Sequence, residues 1–176
     1  MIQTDRLVLR RWREEDCAPF HRMGQDAEVM RYIGPPTSED DCRAVMARQN
    51  TFAESFGRCF WAMERRRDGA FMGFCGVKPG PDRTPIAGQP EIGWRLSRDS
   101  WGHGYATEAA RAVLLEEWRR GTTQVSAITV PRNVRSRAVM ERLGMIRDEQ
   151  GDFDHPALAP GDPLRRHVLY RIARPA

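Results

Sequence analysis

From Glu91 to Arg120 the chain reads as a strand, a two-glycine turn and a long helix, in that order. Glu91-Ile92-Gly93-Trp94-Arg95-Leu96 alternates so that Ile92, Trp94 and Leu96 share one face. From Tyr105 to Arg120, Ala106, Ala109, Ala110, Val113, Leu114 and Trp118 fill one side of a helix that Gly121 ends. Between strand and helix stands Trp101-Gly102-His103-Gly104-Tyr105-Ala106-Thr107-Glu108-Ala109. The two glycines keep side chains off the backbone, so several N–H groups can face one anion. The helix dipole adds to that preference. Such a turn suits a phosphate or diphosphate, and the same residues also suit a plain tight strand-to-helix turn.

The flanking segments set the fold class. Arg6 to Arg10 reads as a strand with Leu7 and Leu9 on one face, and Asp16 to Met23 has helical character. Thr37 to Phe56 predicts a longer helix: Ser38 caps it, Glu39, Asp40 and Asp41 suit its N-terminal dipole, and Gly57 stops it. Its apolar stripe is Cys42, Val45, Met46, Phe52, Ala53 and Phe56. Cys59 to Met63 and Phe71 to Val77 form a hairpin around Asp68-Gly69, and Pro79 to Pro90 is a loop. Gln124 to Val130 is a strand, and Ser136 to Leu143 a short helix with Ser136 as N-cap and Gly144 as stop. Two strands complete the order, the last being His167 to Ile172 after a loop from His155 to Pro163. The expectation is an α/β (α+β) chain of one domain, residues 1–176, with a single mixed, mostly antiparallel sheet flanked by helices.

Composition narrows the function classes. The 28 basic residues exceed the 24 acidic ones by a net +4, and Lys78 is the sole lysine. A catalytic lysine therefore has one candidate, whereas arginine stays charged at any working pH and suits bidentate phosphate contacts. A net +4 alone does not identify a nucleic-acid binder. No stretch approaches a membrane span. Met1 to Asp5 lacks an apolar signal core, so a cytoplasmic location is expected. Cys17, Cys42, Cys59 and Cys75 lie far apart with no Cys-x-x-Cys pair, which predicts free thiols and no metal site.

Two familiar phosphate-binding patterns fit poorly. A P-loop needs Gly-Lys-[Ser/Thr], and this loop holds no lysine. A dinucleotide fingerprint needs a third glycine where Thr107 stands, and an acid where Val130-Pro131-Arg132 occurs. Taken together, the glycine stretch, Thr4-Asp5-Arg6-Leu7-Val8-Leu9-Arg10, Glu91-Ile92-Gly93-Trp94, Asn133-Val134-Arg135-Ser136 and Met140-Glu141-Arg142-Leu143-Gly144-Met145 resemble another pattern. It is that of the GCN5-related N-acetyltransferase (GNAT) superfamily, nearest the branch of ribosomal-protein N-terminal acetyltransferases.

The resemblance implies acetyl-CoA as cosubstrate and acetyl transfer to a primary amine by direct attack on the thioester. Backbone groups around Leu96 and Ser97 would hold the pantetheine arm. Trp101, Gly102, His103, Gly104, Tyr105, Ala106 and Thr107 would surround the diphosphate, with Arg137 as a further cofactor contact. His103 reads equally as a solvated loop residue. Asn133 would bond the pantetheine or steady the turn before the last helix. Glu91 matches a position where family members carry a base, and also reads as a strand-end surface acid. Ser136 lies where the branch places a hydroxyl near the CoA sulfur, and Glu108 has a structural use against the helix dipole. Where many members carry an acidic tyrosine this chain has Met140, and Asp99 stands where the wider family favours Gln or Arg. These departures keep a second function open, a non-catalytic acyl-CoA sensor or interaction module. The expected acceptor is a protein N-terminus or a small-molecule amine. Neither nucleic acid nor membrane is an expected partner, and the chain fits a monomer or a homodimer.

Overall fold

A computed structural model describes residues 1–175. Eight strands form one sheet: β1 (Ile2–Gln3), β2 (Leu7–Arg10), β3 (Phe60–Arg65), β4 (Phe71–Pro79), β5 (Pro90–Leu96), β6 (Gln124–Thr129), β7 (Ile146–Asp154) and β8 (Arg166–Ala173). Their order across the sheet is β1-β2-β3-β4-β5-β6-β8-β7. Every neighbouring pair is antiparallel except β5 and β6. The helices are α1 (Cys17–Gln25), α2 (Ala27–Met30), α3 (Glu39–Phe56), α4 (Tyr105–Arg119) and α5 (Val134–Arg142). The mixed, mostly antiparallel sheet with flanking helices is the expected class. Among the described residues no helix is long and apolar enough to cross a membrane.

Two apolar clusters divide the faces of the sheet. On one face Leu7, Leu9, Met63, Val77, Ile92 and Leu96 pack with Ala109, Ala110, Val113 and Leu114 of α4. On the other, Ala62 and Phe74 meet Trp12, Phe20, Met23, Val29, Cys42 and Met46 from the segment that carries α1, α2 and α3. Each cluster removes large apolar side chains from water at about 25 cal/mol per Å², which drives the layers together. All four cysteines are buried and free.

Local signals place most boundaries. Ser38 Oγ accepts from the Asp41 N–H at 3.1 Å, while Asp41 Oδ2 accepts from the Ser38 N–H at 3.0 Å. That reciprocal cap starts α3, and Gly57 ends it at φ 65°. Within α3 the buried line runs Cys42, Met46, Gln49, Ala53. Gln49 enters the core because its Oε1 accepts the Phe60 N–H at 2.8 Å. The helix is thereby turned, and Phe56, expected in the apolar stripe, lies at its margin and is 53% exposed.

The start of α5 also differs from expectation. Asn133, rather than Ser136, is its N-cap: Asn133 Oδ1 accepts from the Ser136 N–H at 3.2 Å, and Asn133 Nδ2 donates to Thr129 Oγ1 at 3.1 Å. The helix thus begins at Val134, and Ser136 occupies the third helical position. Ser136 contributes an amide to the cap and keeps its hydroxyl out of it.

Candidate functional site

Among the described strands β5 and β6 are the only parallel neighbours, and a single pairing joins them, Glu91 with Ser126. β5 continues to Leu96 and β6 to Thr129 with no further pairing between them. Beyond that pairing, one backbone edge of each strand is without a ladder partner among the described residues. Ligands characteristically bind at the carboxyl ends of such parallel strands. Beyond β5 come a 3-10 turn (Arg98–Ser100), the glycine loop and α4.

Gly102 and Gly104 take φ 79° and 77°, a left-handed region open to glycine with little steric penalty. The turn opens the start of α4, where no side chain caps the helix. Across Gly102, His103, Gly104, Tyr105, Ala106 and Thr107 no backbone N–H has a hydrogen-bond partner among the described residues; Glu108 is the first to bond, to the Gly104 carbonyl at 3.0 Å. A Cβ at Gly102 would meet nothing within 4 Å. The result is an open run of donors at the positive end of a helix.

The N-terminal segment braces this loop. Arg6 Nη1 donates to the His103 carbonyl at 3.0 Å, and the Arg6 guanidinium covers the Tyr105 ring at 4.5 Å. Glu108 accepts from Thr4 Oγ1 at 2.5 Å and from Arg6 Nε at 2.6 Å. Burial pushes the Glu108 carboxyl up, but these donors outweigh it and hold it below the usual range. Glu108 therefore ties the first strands to α4. The His103 side chain is exposed.

Leu96 and Ser97 are more heavily engaged than expected. The Leu96 carbonyl accepts from Trp101 Nε1 at 3.0 Å, the Ser97 N–H donates to Met72 O at 2.9 Å, and the Ser97 carbonyl accepts from Ser100 N at 2.9 Å. The unpartnered edge of β5 lies upstream of them. The face of Trp101 carries the Arg135 guanidinium at 4.5 Å. Arg137 Nε donates to Tyr170 Oη at 3.1 Å and Nη1 to the Pro131 carbonyl at 3.2 Å. Ala106, Thr107, Asn133 and Ser136 are half-buried. Met140 is a core residue with 1% exposure, so its place in the chain offers no acid.

Glu91 is not a surface acid. It is 8% exposed, and its Oε2 accepts from Lys78 Nζ at 2.5 Å across the β4–β5 ladder. Burial pushes the Glu91 carboxyl up, while the Lys78 ammonium opposes the rise. The rings of His155 and His167 lie 5.1 Å apart, centroid to centroid. Burial lowers the pKa of His155, with His167 and Lys78 adding to the effect. Lys78 as the partner of Glu91, and the two histidines, were missed from the sequence. The pairing depends on a hairpin register set across the loop 80–89, and no spacing rule gives it. Among the described residues no group of three or more His, Cys, Asp or Glu side chains is arranged to hold a metal ion.

Comparison with known proteins gives the family. The pattern of the family described as Acetyltransferase (GNAT) domain matches residues 6–146. The Bacillus subtilis protein YkkB is 34% identical over 148 residues, covering 82% of this chain and 84% of its own. The Aspergillus fumigatus FsC-acetyl coenzyme A-N(2)-transacetylase is 30% identical over 167 residues, covering 87% of this chain and 67% of its own. Among solved structures, RimL, a ribosomal L7/L12 alpha-N-protein acetyltransferase in complex with coenzyme A, superposes with a TM-score of 0.77 at 16% identity, covering 97% of this chain and 95% of that one.

Proposed function

Since the chain belongs to the GNAT acetyltransferase family, we propose that it transfers an acetyl group from acetyl-CoA to a primary amine, with Glu91 as the base. The observation that carries this reading is the run of amides from Gly102 to Thr107 at the start of α4, which have no hydrogen-bond partner among the described residues. Amides at a helix N-terminus bind a diphosphate by charge and by geometry together. The unpartnered edge of β5 upstream of Leu96 takes the amide-bearing pantetheine arm as an added strand. RimL and the Aspergillus transacetylase, as their names state, act on a protein N-terminus and at an N(2) position. For this chain a protein N-terminal amine is favoured.

Acetyl-CoA supplies the activated thioester. Before an ammonium can attack, it must lose a proton. Glu91, pushed up by burial against the opposing pull of the Lys78 ammonium, accepts that proton directly or through one water. The amine nitrogen forms the new C–N bond as the C–S bond breaks, and the sulfur leaves as thiolate. Ser136, whose hydroxyl takes no part in capping α5, is the proton donor proposed for the thiolate. A thiol pKa of about 8.5 makes that assistance modest.

Isothermal titration with acetyl-CoA tests the reading, and absence of binding at millimolar concentration overturns it. Gly104→Val provides the paired check. A β-branched residue avoids φ 77°, so the loop must turn its amides away. Losing one or two bonds to a charged group weakens acetyl-CoA about 10- to 100-fold, with the melting temperature as the control for folding. Slow thiol release with no acceptor in a broad amine screen would instead favour the sensor function.

A further inference from the structure

Arg95 lies on the same face of β5 as Glu91, separated from it by Gly93. It sits opposite Phe74, as Glu91 sits opposite Lys78. Its guanidinium stands over the Phe74 ring at 5.3 Å, and its Nη1 points at Met30 Sδ of α2 at 3.7 Å. Its Nε is closed off from solvent and has no hydrogen-bond partner. Two other buried polar atoms lack partners, Asp152 Oδ1 and Arg165 Nε. Both of their side chains nevertheless form ion pairs, with Arg147 at 2.7 Å and with Asp154 at 3.4 Å. Of these three side chains Arg95 is the one with no ion pair to a carboxylate of the described residues. Burial draws its pKa down to about 10, so it still carries a full charge at neutral pH.

Arg95 as a whole is half-buried, but its Nε is a closed-off donor without an acceptor, and such a group calls for a partner. The surroundings of Arg95 point to where that partner comes from. Phe60 and Phe74 stack at 5.3 Å and 11°, with Lys78 over the Phe60 ring at 5.3 Å and Arg95 over the Phe74 ring at 5.3 Å. The stacked rings of Phe60 on β3 and Phe74 on β4 therefore lie between Lys78 and Arg95. Four residues of strand span about 13 Å, the length of roughly three to four extended residues.

Resting on the acetyl-transfer reading above, we infer that Arg95 is the anion-binding residue of the acceptor site. It takes a carboxylate of a peptide acceptor whose N-terminal amine lies at Glu91. The acceptor class is then a peptide N-terminus with an acidic side chain or terminal carboxylate within about three residues. Polyamines and aminoglycosides, which bring only positive charge to Lys78 and Arg95, are disfavoured. The CoA phosphates are the rival source of an anion. The glycine-loop amides lie past the end of β5, beyond the turn Arg98–Ser100, whereas Arg95 shares the strand face of Glu91.

The test compares Ala-Ala-Ala with Ala-Ala-Ala-amide, and Ala-Glu-Ala-amide with Ala-Gln-Ala-amide, by thiol release from acetyl-CoA. Wild-type protein prefers the acid of each pair by about 10- to 100-fold in kcat/KM. Arg95→Met abolishes the preference, and Arg95→Lys restores part of it. A measurement free of turnover uses the products: N-acetyl-Ala-Ala-Ala raises the wild-type melting temperature more than its amide does, and Arg95→Met removes the difference. Equal rates and equal thermal shifts for acid and amide overturn the inference. So does a lower melting temperature for Arg95→Met without ligand, because the guanidinium is then structural. Weaker acetyl-CoA binding by Arg95→Met assigns the anion to the cofactor and also overturns it. If acetyl-CoA binds and thiol is released only to spermidine or kanamycin, the anion inference fails while the transfer reading stands. If acetyl-CoA does not bind at all, both fail.

Discussion

Glu91→Gln lowers kcat/KM for acetyl transfer by about 10²- to 10⁴-fold, the usual contribution of a positioned general base, while acetyl-CoA still binds. Glutamine matches glutamate in shape and cannot accept the proton. It also leaves Lys78 without its carboxylate, but that side chain is 20% exposed and can turn its ammonium toward water. The variant therefore folds, somewhat destabilised. The pH profile separates chemistry from structure. Burial raises Glu91 above the ordinary carboxylate value, so the wild-type rate climbs with pH through a midpoint above that value. Lys78→Met removes the nearby positive charge that favours the ionised form, and this ascending limb moves to higher pH. Stability responds in a defined sense. A folded carboxyl that holds its proton more tightly than the unfolded one contributes stability at low pH. That contribution fades as pH rises from the unfolded value through the raised one. A Glu91→Gln enzyme with undiminished turnover, or a limb that stays in place in Lys78→Met, would falsify the assignment of the base.

What could be read from the residues was what is local. Ser38, Gly57 and Gly121 act through bonds to neighbours three or four positions away, and the boundaries they predict are the observed ones within a residue or two. The glycine loop was legible for the same reason, because its conformation needs only Gly102 and Gly104 at positive φ. Asn133 and Ser136 show where local reasoning divides. Both are cap-forming types three residues apart, and the choice falls to Asn133 because it also reaches Thr129 on β6. β7 holds Arg147, Asp148, Glu149, Asp152 and Asp154 and lacks a clean alternation, as befits a charged edge strand. The two residues of β1 are too few to show any period. Lys78 with Glu91, and the unpartnered Nε of Arg95, depend on the β4–β5 register and on α2 packing over the sheet, which no run of residues discloses.

Asp16→Ala destabilises the fold by about 3 kcal/mol, near the lower end for breaking a buried ion pair. Asp16 is 2% exposed and receives both Arg10 Nη1 at 2.7 Å and Nη2 at 2.8 Å, together with the Arg13 N–H at 2.8 Å. Arg10 is 8% exposed. Without Asp16 it keeps only Glu64, at 2.7 Å, and the Arg11 carbonyl, at 3.1 Å, which is why the loss stays below the full range. At this chain length the loss lowers the melting temperature by roughly 10 °C. Calorimetry of the single variant and of Arg10→Met/Asp16→Leu separates charge from packing. The double variant, which leaves no buried guanidinium behind, recovers much of the deficit. A single variant that melts within about 2 °C of wild type would show that the pair carries little of the fold. The site responds unevenly. Asp16 closes the turn that launches α1 on the side of the sheet bearing Phe74 and Arg95, so the acceptor KM rises as that layer loosens. The glycine loop is held instead by Thr4, Arg6 and Glu108, on the α4 side, so acetyl-CoA affinity holds until the whole chain unfolds.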